Sequence, residues 1–255
     1  GEPVSRVAWA GLPTLERAAA AAAKAAPEMA AFAPDRRAAI LEAARADLLA
    51  RKDEVAASIV DEAGKPLSLA RAEVDRAGDT LLAAAHVARF PGLAARDLSG
   101  FASGAGRIAL TKRVPLGPVL AITPFNFPLN LVAHKLAPAV AAGCPVVLKP
   151  ASQTPTAALL LAASLQRAGL PDGALSVVPS RASDAEALAT DPRFAILTFT
   201  GSAEVGFALG SAWWGRGLAR AAVGCLIAHA FDTLDLARLE ADVDPRNAPS
   251  LGLLE

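Results

Sequence analysis

The chain has 255 residues, 53% of them hydrophobic, enough to bury one or two cores. Lysine plus arginine and aspartate plus glutamate both number 25, so charge gives no case for nucleic acid or an anionic membrane as partner. Two cysteines without a CxxC and three scattered histidines argue against a disulfide framework or a zinc site, and they make a reducing, cytoplasmic location the expectation.

The N-terminal GEPVSRVAWAG lacks the basic-then-apolar layout of a signal peptide, and a start at Gly1 without methionine is what a fragment boundary gives. Residues 13–93 read as helical. Leu15, Ala18, Ala22 and Ala25 mark one helix, and Ile40, Leu41, Ala44, Leu48 and Leu49 a second after Pro34. Val55, Ile59 and Val60 mark a third, ending at Gly64-Lys65-Pro66; Ala70, Val74, Ala77, Leu81 and Ala85 mark a fourth, ending before Pro91. The charges between them, such as Asp35, Arg36, Arg37 and Asp47, read as solvated faces. After Gly100, Gly104 and Gly106, RIALTKRVPLG alternates as a half-buried strand does, at an edge or reaching another subunit.

From Gly117 strand and helix patterns alternate. Strands are expected at Val119–Thr123, Val146–Lys149, Leu175–Val178 and Ala195–Phe199, with helices at about 129–142, 155–168 and 183–190. The fold class is therefore α/β: a helical N-terminal region, then a Rossmann-like parallel sheet with flanking helices. A C-terminal helix-strand-helix remnant follows, with its helix from Leu218 to Leu234 and its strand at Leu236–Val243. No run of about 18 uncharged apolar residues is present to span a membrane. Tyrosine is absent, which removes one common general acid.

Three loops carry chemistry. Thr200-Gly201-Ser202 closes a strand and opens a helix, a plausible diphosphate site and equally a plain turn. Lys149 ends an apolar strand, where a lysine either reaches a ribose hydroxyl or phosphate or emerges into solvent. Asn126, between two phenylalanines and two prolines, either donates to an oxyanion or bonds its own backbone.

Taken together, TPFNFP, AAGCPVVLKPASQTP, GLPDGALSVV and FTGSAEVG, in that order after EAGKP, resemble the aldehyde dehydrogenase superfamily over roughly residues 10–210. The resemblance implies aldehyde oxidation with NAD or NADP, through a cysteine thiohemiacetal and hydride transfer. It implies that Ile122, Thr123, Pro124 and Phe125 line the nicotinamide side and that Asn126 supplies the oxyanion amide. Lys149, Ala151 and Ser152 would face the adenosine ribose, and Gly201, Ser202 and Val205 the diphosphate and adenine. Many NAD-preferring members carry a glutamate where Ser152 stands, so NADP is expected to be tolerated. Ser183-Asp184-Ala185-Glu186 stand where many members carry a glycine near the cofactor, and the glutamate there either repels the diphosphate or faces solvent.

The family's general-base glutamate and nucleophilic cysteine motifs are absent, so this segment is expected to bind cofactor without catalysing oxidation. Cys144 reads as buried and inert; Cys225, one helical turn before His229, reads as a residue on an apolar helix. Residues 213–255 resemble a GNAT-type N-acyltransferase, with Gly215, Arg216, Gly217, Leu218 and Ala219 as an acetyl-CoA diphosphate loop and Asn247 and Ser250 at motif positions. The organisation expected is thus a truncated NAD(P)-binding domain at 1–210 and a partial acyltransferase segment at 211–255, fused near 207–213. The expected partners are an aldehyde and a further copy of the chain, and neither nucleic acid, membrane nor metal.

Overall fold

The computed structural model describes residues 6–200 and 239–240. Four helices open the chain: α1 (Leu12–Ala31), α2 (Pro34–Ala50), α3 (Lys52–Ala63) and α4 (Leu67–Arg89). Their boundaries follow the punctuation in the sequence. Proline stands in the first turn of α1 and α2, where its missing N–H costs nothing, and Gly64, at φ +65°, ends α3 in the left-handed conformation.

The chain then forms an antiparallel ribbon, β1 (Leu93–Asp97) and β2 (Ile108–Lys112), with Leu93 opposite Lys112 and Asp97 opposite Ile108. The alternation at Ile108–Lys112 indicated β2. Its partner β1, LAARD, shows no alternation, and here sequence reasoning failed to find a strand. The pair forms a separate sheet, and Leu93, Ile108 and Leu110 are exposed on it.

The βα region follows as expected to within a residue or two: β3 (Val119–Ile122), α5 (Asn130–Ala142), β4 (Val146–Lys149), α6 (Thr156–Arg167), β5 (Leu175–Val177), α7 (Ala182–Ala189) and β6 (Ile196–Phe199). Every neighbouring pair in this sheet is parallel, and the strand order is β5-β4-β3-β6-β7. The last strand, β7 (Leu239–Glu240), pairs with β6 through Leu197 and Thr198. Of the expected C-terminal remnant only these two residues fall within the described part, and they extend the same sheet.

Period-two burial divides the sheet residues between two cores. Val119 and Ala121 of β3, with Val146 and Leu148 of β4, pack with Leu41, Leu48, Leu81, Leu136 and Leu161 of the helices on one face. Leu120 and Val147 face the other side, with Leu15 and Ala19 of α1, Leu188 and Phe194. Cys144 is buried in the first core, as expected.

Of the charges read as solvated faces, Asp35 and Arg36 are exposed as expected, whereas Arg37 and Asp47 are half-buried ties between helices. Arg37 donates to the carbonyls of Ala30 at 2.9 Å and Ala142 at 3.0 Å, joining the ends of α1 and α5. Asp47 of α2 accepts from Ser164 and Arg167 of α6. Asp35 pairs with Arg89, and the Arg36 guanidinium lies 3.6 Å from the Phe32 ring centroid. Helical periodicity separates wet from dry faces but says nothing of which partner a boundary charge meets. Among the described residues no helix is long and apolar enough to cross a membrane, and no group of three or more His, Cys, Asp or Glu is placed to hold a metal ion.

Candidate cofactor site

The strand order fixes where a ligand crevice opens. From β3 the chain moves outward to β4 and β5, then returns to place β6 on the other side of β3. In such sheets ligands bind beyond the carboxyl ends of the strands at this reversal. Two backbone hydrogen bonds align the strand ends there. Thr123 N–H donates to the Lys149 carbonyl at 3.2 Å, and Thr200 N–H donates to the Ile122 carbonyl at 3.1 Å. Lys149, Ile122, Thr123 and Thr200 therefore lie along one edge.

That edge is polar and incompletely satisfied. Lys149 does not emerge into solvent: it is 8% exposed, no partner among the described residues holds its ammonium, and burial lowers its pKa from the ordinary lysine value. Thr123 and Thr200 bury hydroxyl oxygens that have no hydrogen-bond partner among the described residues. Buried hydroxyls and cations are ordinarily paired, so this edge has the donor set a polar ligand satisfies. The residues present thus fit a ribose or phosphate.

The connection from β3 to α5 carries Pro124 buried, then Phe125 and Asn126 exposed. Asn126 Oδ1 accepts from the Phe127 N–H at 3.0 Å. The bland expectation, an asparagine bonding its own backbone, is met by the oxygen, and the amide nitrogen keeps its two donors.

The N-terminal helices hold these loops. Glu73 of α4 is fully buried; its Oε1 accepts from the N–H groups of Leu129 and Asn130 at 3.0 and 3.1 Å, and its other oxygen accepts from Lys65. Glu62 at the end of α3 does the same for α6, accepting from the Thr156 N–H at 3.0 Å and from its hydroxyl. Both carboxylates sit where helix N–H groups and dipole favour negative charge. Sequence reasoning missed both. Glu73 had a signal, since Ala70, Glu73, Val74 and Ala77 share one stripe and a glutamate on a core stripe needs a partner.

Ser152 is exposed after β4 and lines a cleft of about 610 Å³ with Arg6, Trp9, Asp61 and Glu62. Ala151 beside it is half-buried. Asp184 and Ala185 fall in α7, half-buried and buried. Gly201, Ser202 and Val205, the Gly215–Ala219 turn, Cys225, His229, Asn247 and Ser250 lie outside the described residues.

Comparison with known proteins decides the family. Residues 1–225 match the description "Aldehyde dehydrogenase family". The chain belongs to the aldehyde dehydrogenase family. A 3-sulfolactaldehyde dehydrogenase from Priestia aryabhattai is 43% identical over 176 residues, which is 69% of this chain and 37% of that protein. The crystal structure of aldehyde dehydrogenase 21 from Physcomitrella patens, complexed with the reaction product succinate, superposes with a TM-score of 0.76 at 44% identity, covering 79% of this chain and 42% of that one. A Bacillus halodurans NADP-dependent glyceraldehyde-3-phosphate dehydrogenase complexed with NADP gives 0.75 at 33% identity, covering 78% and 42%. This chain thus spans well under half the length of the aldehyde dehydrogenases it matches. The family match runs to residue 225, past the boundary expected near 210 and across Gly215–Ala219. It lends no support to an acyltransferase identity for the tail or to acetyl-CoA as a ligand.

Proposed function

We propose that this chain is the cofactor-binding part of an NAD(P)-dependent aldehyde dehydrogenase, with residues 1–210 as the binding unit. The observation that carries the reading is the desolvated Lys149 ammonium at the sheet edge where the strand order reverses, an edge that also holds the buried hydroxyls of Thr123 and Thr200, which have no partner among the described residues. Bound NAD or NADP supplies the hydride acceptor. Lys149 donates to a ribose hydroxyl or phosphate oxygen. Ile122, Thr123, Pro124 and Phe125 form the wall on the nicotinamide side, and Ala151 and Ser152 flank the ribose. In a complete enzyme, with nucleophile and base supplied from outside residues 1–210, Asn126 would donate its amide protons to the aldehyde oxygen as negative charge develops there. The first turns of α5 and α6 are occupied by Glu73 and Glu62, so they repel phosphate. That leaves the junction after β6, with Gly201, Ser202 and Val205, for the diphosphate.

Oxidation also needs a thiolate and a general base. Cys144 is 4% exposed and buried in the core before β4, which leaves it unable to meet a substrate. The function proposed for this chain is therefore cofactor binding, without aldehyde turnover by residues 1–210 alone. The exposed apolar residues of the β1–β2 ribbon support association with a further copy, which the mass in solution tests.

Titration calorimetry of the full chain with NADP and with NAD tests the cofactor reading. NADP is accepted, and Ser152→Glu weakens NADP about tenfold, the equivalent of 1.4 kcal/mol of charge repulsion, while leaving NAD less affected. Rejection of NADP by the unmodified chain overturns the assignment to Ser152; rejection of both cofactors overturns the function.

A further inference from the structure

Asn126 is exposed on a connection without regular structure between Ile122 and Asn130, and a carboxamide so placed is useful as a donor only if its orientation is fixed. One short stretch, from Lys65 to Arg76, supplies the fixing contacts. Glu73 accepts from Leu129 and Asn130, which anchors the far end of the connection at the first turn of α5. Lys65 pairs with Glu73 and also lies 3.9 Å from the centroid of the Phe127 ring. The Arg76 guanidinium lies 5.1 Å from the same centroid. Phe127 in turn donates its N–H to Asn126 Oδ1. The contacts form one chain from a buried carboxylate to the amide: Glu73 sets the backbone, Lys65 sets the ring, and the residue bearing the ring holds the Asn126 oxygen. With the oxygen committed, the plane of the carboxamide is set, and with it the directions of the two N–H donors on its nitrogen.

We propose that Glu73, held by Lys65, is the positioning residue that orients the Asn126 carboxamide. The proposal rests on the reading of Asn126 as an oxyanion donor, and the role falls to α4 although no residue of α4 touches the reacting atoms. A residue that merely stabilises the fold would not order one exposed side chain selectively.

The test is amide NMR on the full chain labelled with nitrogen-15, the Asn126 side-chain NH2 pair being identified as the pair lost in Asn126→Ser. In the unmodified chain this pair shows the restrained heteronuclear NOE of an ordered group. Glu73→Ala reduces it to that of a free side chain, and Glu73→Gln, which keeps an acceptor for the Leu129 and Asn130 N–H groups, restores most of it. Asp47→Ala breaks the tie between α2 and α6 and leaves the pair unchanged. An Asn126 pair unmoved by Glu73→Ala, or moved equally by Asp47→Ala, overturns the proposal. Should Glu73→Ala not fold, Lys65→Met and Lys65→Arg give the same comparison: loss in the first, recovery in the second, and no difference between them overturns it. NADP titration is run separately, so a failure of cofactor binding sinks the functional reading without being confused with the ordering of Asn126.

Discussion

Replacing Lys149 with methionine separates binding from stability. The lysine ends β4, is almost wholly buried, and carries an ammonium with no partner among the described residues, in surroundings that lower its pKa by desolvation. Methionine keeps an unbranched stem of similar length and removes the charge. Replacing buried charge with apolar volume gains on the order of 1–4 kcal/mol, and a lysine at the sheet edge belongs at the lower end, about 1 kcal/mol. For a unit of some 150–250 residues that is about 2–4 °C in Tm. The pH dependence follows from linkage. A lysine whose folded pKa lies below its unfolded value of 10.5 penalises folding fully below the folded pKa, and the penalty fades as pH rises toward 10.5. The advantage of Lys149→Met is therefore complete below the folded pKa and shrinks as the pH rises toward 10.5. On the proposed reading NADP inverts the order: a ligand at 100 times its Kd stabilises the unmodified chain by about 2.7 kcal/mol and stabilises the variant, which has lost the Lys149 contact, by much less. Urea unfolding with and without NADP, at pH 7 and in alkali, reads all three effects. A variant less stable than the parent without ligand would refute the reasoning, because Lys149 would then be a satisfied structural residue.

Gly143→Ala tests the close approach at the end of α5. The glycine sits at φ +81°, and an added Cβ would lie 2.6 Å from Arg37 Cζ. About 1–2 kcal/mol of backbone strain plus about 1 kcal/mol from the displaced, partly exposed Arg37 contacts gives a loss of about 2–3 kcal/mol by urea unfolding; the loss falls short of additivity with Arg37→Ala, and full additivity would show that the guanidinium is not displaced. For Asp47, Arg167 and Ser164 hold the carboxyl at about 2 against an ordinary 3.8. Its contribution, about 1 kcal/mol for so accessible a pair, is present above pH 3.8 and lost as pH falls toward about 2, so the difference in stability between the parent and Asp47→Asn should vanish across that window; a constant difference would remove the ionic explanation.

Much of this fold was readable because each element carries its own punctuation. Proline at the first turns of α1 and α2, Gly64 after α3 and the short apolar runs of β3, β4 and β6 need only local rules. β1 was not readable, since LAARD is a strand only by virtue of its pairing with Ile108–Lys112. The site divides in the same way. Lys149 and Asn126 were legible as strand-end and loop residues, but the burial of Lys149 depends on Ile122 lying beside it in parallel register. Glu73 was legible only as a core-stripe glutamate in need of a partner and Glu62 not at all, because their partners lie 56 and 94 positions away in sequence and nothing local says which N–H groups a carboxylate will meet.

Those two carboxylates change what the N-terminal helices are for. Each reaches the first turn of a helix that follows a strand of the reversal point, and each cancels the positive end that would otherwise attract a phosphate. A sheet of this topology offers several helix N-termini at its carboxyl edge, and a dinucleotide has only one diphosphate. Of the helices that could compete, α7 follows the edge strand β5, two strands away from β3, and α5 and α6 are already occupied by the protein's own acids. On the proposed reading, selection of the diphosphate position would come from closing these alternatives as much as from Gly201. The same two contacts tie down the far ends of the connections bearing Asn126 and Ser152, so on the proposed reading one pair of glutamates in α3 and α4 would both disfavour phosphate at the wrong helices and hold the loops that receive the rest of the cofactor.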